Sequence, residues 1–195
     1  MESGAAMLRR AVMERGRVDG PILRVDDFLN HRVEPRLMTA IGADLAARFE
    51  AEAPDLVLTA EASGIPPALA AAQTLDVPMV YAKKFVGPGN PEAFARDVPS
   101  TTKGTEYRVE VSRRALQAGL RVLIVDDFLS GGRTAEALGE ITEQAGAAVT
   151  GLGFVIEKRF AGGRDLLAPH GWRIEALVTI ASLDGGRITL LEPPG

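Results

Sequence analysis

The sequence predicts a single α/β domain over residues 1–195: an open, mainly parallel sheet flanked by helices, with a small N-terminal appendage packed near the sheet's ligand edge. Three observations point there. Short runs of consecutive apolar residues alternate with amphipathic stretches of helical period, the pattern of parallel strands covered on both faces. The 195 residues are 46% hydrophobic and 25% charged, the make-up of an ordinary globule that needs no covalent staple. Cysteine is absent, which excludes a disulfide framework, zinc-thiolate sites and thiolate nucleophiles.

The elements follow in order. Within residues 18–31, Ile22-Leu23-Arg24-Val25 reads as a short strand outside the main alternation, and it is assigned to the N-terminal appendage. Residues 34–49 place Leu37, Ile41, Leu45 and Phe49 four apart on one face, with Pro35 suited to a first helical turn. The runs 56–59 and 79–82 read as strands around a helix over 66–75 that begins with proline. The pattern then repeats, with a strand over 121–125, a helix over 134–145 and a second strand over 148–157. The runs 175–182 and 188–191, separated by Asp184-Gly185-Gly186, read as a hairpin or edge strands. Residues 85–105 lack an apolar period and read as a loop, either a mobile lid over the active site, with Ser100, Thr101, Thr102 and Lys103 able to cover a ligand, or a disordered surface segment.

With 22 basic against 26 acidic residues the net charge is -4, which argues against a general nucleic-acid surface while permitting a local anion site. No run approaches the ~18 apolar residues of a membrane span. Met1-Glu2-Ser3-Gly4 lacks a basic-then-apolar leader, so a cytoplasmic protein without membrane contact is expected. His31 and His170 are the only histidines and lie far apart, which argues against a dedicated transition-metal site.

The chemistry concentrates in residues 122–134. Four apolar residues, Val122-Leu123-Ile124-Val125, run directly into Asp126-Asp127. Burying an unpaired carboxylate is costly, so the acid pair is expected at an exposed strand end, where open α/β sheets bind ligands. Ser130-Gly131-Gly132 then lets the backbone turn tightly and aim successive amides into one concavity at a helix start, a phosphate cradle. Carboxylates suit vicinal hydroxyls and the glycine turn suits a phosphate; together they describe a ribose 5-phosphate. Neither Gly-Lys-Ser/Thr nor GxGxxG occurs here. A second loop, Glu61-Ala62-Ser63-Gly64, joins a strand to a proline-started helix, and Lys83-Lys84 would bring positive charge to the same sheet edge for a diphosphate.

The run 122–134 resembles the phosphoribosyl diphosphate (PRPP) signature of type I phosphoribosyltransferases. Four blocks in order, 23–31, 61–65, 126–129 and 155–158, resemble the xanthine-using branch of those enzymes, with the likeness extending over about residues 7–191. That resemblance implies the type I fold, with a small hood from N-terminal and C-terminal segments, and transfer of the phosphoribosyl group from PRPP to xanthine. The products would be xanthosine 5'-monophosphate and diphosphate, made in purine salvage by a homodimer with Mg²⁺ carried by PRPP. By the same resemblance Ser130, Gly131, Gly132, Arg133 and Thr134 bind the 5-phosphate, and Glu61, Ala62, Ser63 and Gly64 approach the diphosphate. Asp126 and Asp127 face the ribose hydroxyls, one also placed to take the purine proton, and Leu23, Asn30 and Lys158 meet the base. Gly131-Gly132-Arg133-Thr134 departs from the usual Thr-Gly-Gly-Thr ending, which alters side-chain contacts more than the backbone cradle. A phosphoribosyltransferase for another base, guanine first, and a PRPP-sensing regulator without transferase activity are the alternatives.

Overall fold

A computed structural model describes residues 2–85, 89–99 and 106–192. The chain begins with α1 (Gly4–Arg15), whose N-terminus is capped by the Ser3 hydroxyl accepting the Ala6 amide and whose Leu8 and Val12 are buried. An antiparallel pair, β1 (Arg17–Asp19) and β2 (Ile22–Arg24), leads into one wide helical turn over Asp26–Asn30. In α2 (Pro35–Phe49) the four residues of the predicted stripe are all buried, as their spacing requires.

The alternating part follows: β3 (Leu56–Ala60), α3 (Ile65–Leu75), β4 (Met79–Phe85), β5 (Ala93–Pro99), β6 (Glu106–Ser112), β7 (Arg121–Leu129), α4 (Arg133–Gln144), β8 (Ala148–Lys158), α5 (Gly163–Leu167), β9 (Ile174–Ser182) and β10 (Thr189–Leu190). Among the described residues the main sheet has eight strands in the order β10-β9-β8-β7-β3-β4-β6-β5. The pairs β4-β3, β3-β7, β7-β8 and β8-β9 are parallel, and antiparallel strands extend both edges. From the central β3-β7 pair the chain winds outward in both directions, through α3 on one face and α4 on the other. Such a switch point opens a crevice at the carboxyl ends of the two strands.

Each face carries its own apolar core. Leu123, Val125 and Phe49 pack with α1, α2 and α3, while Val122, Ile124 and Phe154 pack with α4 and with Phe94 and Val98 of β5. Burying each such side chain contributes about 1.5–3 kcal/mol. The hood sits over the first core: Leu23, Phe28 and Leu29 are buried in it, and Ile188 from the C-terminal segment packs on Gly16. Both ends of the chain thus build the hood, as the resemblance implies.

Three features differ from expectation. Helix α1 carries a serine cap and an i, i+4 apolar pair, but its small apolar stripe is too weak to stand out from sequence. Residues 85–105 are not one irregular loop: Phe85 ends β4, and Ala93–Pro99 forms β5, paired along its length with β6. Alternation of Tyr107, Val109 and Val111 with charged residues is the signal for β6; the rest of the expected loop, 86–88 and 100–105, lies outside the described residues. Third, β7 continues through the acid pair to Leu129, because the eleven residues of β8 keep pairing with it (Asp126 with Phe154, Phe128 with Ile156, Leu129 with Glu157).

The contact between α2 and α3 leaves no space at Gly42, where a Cβ would lie 2.4 Å from the Ala70 carbonyl carbon and 2.5 Å from its Cβ. Gly42→Ala is expected to push the helices apart and lower unfolding free energy in urea by about 1–3 kcal/mol. A change below about 0.5 kcal/mol, the range of neutral surface substitutions, would contradict this packing.

Candidate active site

The β3-β7 crevice holds most of the residues singled out from sequence. Continuation of β7 gives its two acids different neighbours. Asp127 is only 6% exposed and accepts the Asn30 side-chain amide at 3.3 Å, turning toward the hood. Asp126 is partly buried and lies against Gly64, where a Cβ would come within 2.5 Å of its Oδ1. The acid pair is therefore not at an exposed strand end, because β8 carries the strand on beneath it. Burial pushes the Asp126 carboxyl well above the usual aspartate range, the Asp127 charge adds to this, and the Asp127 amide (2.8 Å to Oδ1) and the Lys84 ammonium oppose it.

Beyond Leu129 the chain turns through Ser130, Gly131 and Gly132. Gly132 has φ +79°, open to glycine without strain, and stands at the N-cap of α4. The turn and the N-terminus of α4 line one concavity, and the helix dipole adds positive potential there. That concavity is a cavity of about 290 Å³ lined by Asp126, Phe128, the stretch from Ser130 to Thr134, and Tyr107 and Pro99 of the β5-β6 ribbon. The Thr134 hydroxyl is 2.9 Å from the Tyr107 hydroxyl, so the ribbon closes onto the cradle directly. Arg133 is exposed, 3.3 Å from Glu136, and lines the rim.

Across the crevice lies the loop Glu61-Ala62-Ser63-Gly64, and only small atoms fit between it and β7. A Cβ on Gly64 would also meet Thr59 Oγ1 at 2.3 Å. The Glu61 carboxylate accepts the Lys84 backbone amide at 2.8 Å, which ties the loop to the end of β4. Strand alternation splits the lysine pair. Lys84 shares a face with buried Ala82 and stands over the Tyr107 ring at 5.5 Å, with its field reaching Asp126. Lys83 points to the opposite face with exposed Tyr81 and Phe85, so the structure does not bring it into this crevice.

On the hood side, Lys158 donates to the Pro21 carbonyl at 3.3 Å and stands 5.4 Å from the centre of the Phe128 ring. Burial lowers its pKa. Asn30 Oδ1 is buried and accepts no hydrogen bond among the described residues. Leu23 is 4% exposed with its side chain in the core, so toward a ligand it offers backbone and not its side chain. Two residues missed from sequence belong here: Phe128, an aromatic between the acids and the cradle, and Tyr107, on a strand the sequence reading left out.

A parallel sheet with paired acids and a glycine cradle at the end of one central strand, facing a glycine loop at the end of its neighbour, defines a phosphoribosyltransferase-type α/β protein. The family model for the phosphoribosyl transferase domain matches residues 33–166. The chain belongs to the phosphoribosyl transferase family. It is 46% identical over 184 residues to the xanthine phosphoribosyltransferase of Laribacter hongkongensis, covering 93% of this chain and 97% of that one. To the xanthine phosphoribosyltransferase of Bacillus licheniformis it is 45% identical over 190 residues, covering 96% and 98%. Among solved structures, the adenine phosphoribosyltransferase of Rhodothermus marinus has a TM-score of 0.74 at 26% identity, covering 91% of this chain and 98% of that one. The Saccharomyces cerevisiae adenine phosphoribosyltransferase, solved with an iminoaltritol bisphosphate and adenine, has a TM-score of 0.73 at 28% identity, covering 89% and 98%. The architecture is the type I phosphoribosyltransferase fold.

Because the folded state raises the Asp126 pKa above that of the unfolded chain, its ionisation costs stability. This cost is absent below the ordinary aspartate value of 3.8 and grows as pH rises through the folded-state value. Asp126→Asn, whose carbonyl can still accept the Asp127 amide, is expected to be more stable than the parent at pH 8, with the difference vanishing near pH 4. Equal stability of the two proteins across this range, by denaturant unfolding, would contradict the assignment.

Proposed function

We propose that the protein transfers the 5-phosphoribosyl group from PRPP to xanthine, giving xanthosine 5'-monophosphate and diphosphate in purine salvage. The observation that carries this reading is the unbroken run from a central strand through two carboxylates into a glycine cradle at a helix N-terminus. It offers a hydroxyl acceptor and a phosphate site in one cavity, the two groups that a ribose 5-phosphate needs. Ser130, Gly131, Gly132, Arg133 and Thr134 receive the 5-phosphate, and Asp126 and Asp127 face the ribose. The loop from Glu61 to Gly64, with Lys84, receives the diphosphate.

Breaking the C1–diphosphate bond leaves positive charge on the ribose and negative charge on the departing group. Asp126 and Asp127 stabilise the first, and preorganised amides with the Lys84 ammonium stabilise the second. Among the described residues no group of three or more His, Cys, Asp or Glu side chains is placed to hold a metal. Asp126, which lines the cradle cavity while Asp127 turns to Asn30, is the carboxylate that would meet Mg²⁺ arriving with PRPP, since this ion commonly takes one or two carboxylates beside substrate phosphates. When bound, it neutralises diphosphate charge.

Base recognition falls to Phe128 as a stacking face and to Asn30 and Lys158 as polar readers. Asn30 gives one amide hydrogen to Asp127 and keeps another, and its Oδ1 is free to accept. A base edge carrying C=O beside N–H, as xanthine does around C2, satisfies both. Hypoxanthine lacks the C2 oxygen and leaves a donor unpaired, which discriminates strongly. We also place the protein in solution as a homodimer in the cytoplasm. Exposed Leu69, Tyr81 and Phe85 supply an apolar surface for a second copy, and among the described residues no helix is long and apolar enough to cross a membrane.

Diphosphate release with PRPP and Mg²⁺, compared for xanthine, guanine, hypoxanthine, adenine and orotate at equal concentrations, is expected to be dominated by xanthine. Preference for another base would overturn the roles of Asn30 and Lys158, and no turnover with any base would favour a PRPP sensor. Lys158→Ala is expected to lower xanthine kcat/KM about 10- to 150-fold, the value of one charge-assisted hydrogen bond, with PRPP binding largely intact. Unchanged xanthine kinetics would remove Lys158 from the site.

A further inference from the structure

We infer that Gly163 and Arg164, on the segment after β8, form the rear wall of the phosphate cradle and are positioning residues for PRPP. The inference rests on the reading of Ser130 to Thr134 as the 5-phosphate site. Gly163 is buried, and its φ lies outside the left-handed region, so alanine could adopt its backbone. Space is what excludes a side chain. A Cβ there would stand 2.2 Å from the Ser130 carbonyl oxygen, 2.8 Å from Leu129 Cδ1 and 3.1 Å from the Gly132 nitrogen. From the cradle side, a Cβ on Gly132 would meet the Gly163 carbonyl oxygen at 2.9 Å and its Cα at 3.1 Å. The two backbones touch with no side chain between them.

Arg164 holds that wall in place. Its Nε and Nη2 donate to the two carboxylate oxygens of Glu157 at 2.9 and 2.6 Å, and its Nη1 donates to the Ile174 carbonyl at 3.1 Å. Glu157 is 1% exposed and is the sheet partner of Leu129, the residue immediately before Ser130. The fork therefore anchors the wall to the same rung of the sheet from which the cradle departs. Arg159 is a looser partner, 3.7 Å from Glu157 and shared with Asp165. Lysine keeps the charge of Arg164 but cannot make the planar three-point contact. Amides that bind phosphate act only when aimed closely, so a wall displaced by about 1 Å blunts the cradle without any lost ligand contact.

The test uses the full chain and two fragments of PRPP as inhibitors competitive with it: ribose 5-phosphate, which engages the cradle, and diphosphate, which engages the loop from Glu61 to Gly64. In Gly163→Ala the inhibition constant for ribose 5-phosphate is expected to rise about tenfold or more while that for diphosphate stays within about twofold. Arg164→Lys is expected to shift the same ratio in the same direction by less. Unchanged constants, or an equal weakening of both inhibitors, would overturn the inference, the latter showing a purely structural role. If Gly163→Ala fails to fold, the ratio in Arg164→Lys decides by the same criteria. Failure of ribose 5-phosphate to compete with PRPP in the parent protein would instead overturn the cradle reading, and the wall with it.

Discussion

The pairing of β7 with β8 beyond the apolar part of both strands is the constraint on which the site depends. Had β7 ended at Val125, Asp126 and Asp127 would sit on a loop, free to rotate toward water. Held in the sheet as far as Leu129, they have fixed and divergent directions, Asp127 toward Asn30 of the hood and Asp126 toward the Gly64 loop. The same pairing sets where Ser130 leaves the sheet, and so where the cradle lies. It also places Glu157 beside the cradle's origin, where Arg164 can hold it.

That order has a cost. A carboxyl pressed between β7, Gly64 and a second acid is held well above its ordinary pKa, and two buried polar atoms nearby, Thr59 Oγ1 and Asn30 Oδ1, have no hydrogen-bond partner among the described residues. The surrounding core supports them: both faces of the sheet beneath the crevice are continuous apolar packing from Leu123 and Val125 on one side to Val122 and Ile124 on the other.

Much of this was legible in the sequence because the relevant signals were local. The four-residue stripe of α2, the proline start of α3, the apolar runs of β3, β7 and β8, and the tight turn at Ser130-Gly131-Gly132 each report on a few neighbouring residues. What was not legible depended on partners distant in the chain. The length of β7 is set by β8, about twenty residues later. The different fates of Lys83 and Lys84 follow from which face of β4 is turned toward Tyr107 of the neighbouring β6, and the engagement of Glu61 by the Lys84 amide from their joint position at the crevice. Strand β5 carries a proline and few apolar residues, and it exists because β6 pairs with it. Gly163 gave no sign in its own neighbourhood, since the carbonyl that excludes its side chain belongs to Ser130.

The most direct test of the account is the crystal structure of the protein with xanthosine 5'-monophosphate bound. The account requires the phosphate among the amides of residues 130–134, the ribose hydroxyls against Asp126 and Asp127, and the base on Phe128 within reach of Asn30 and Lys158. A phosphate seated at the Gly64 loop, or a base turned away from the hood, would contradict it.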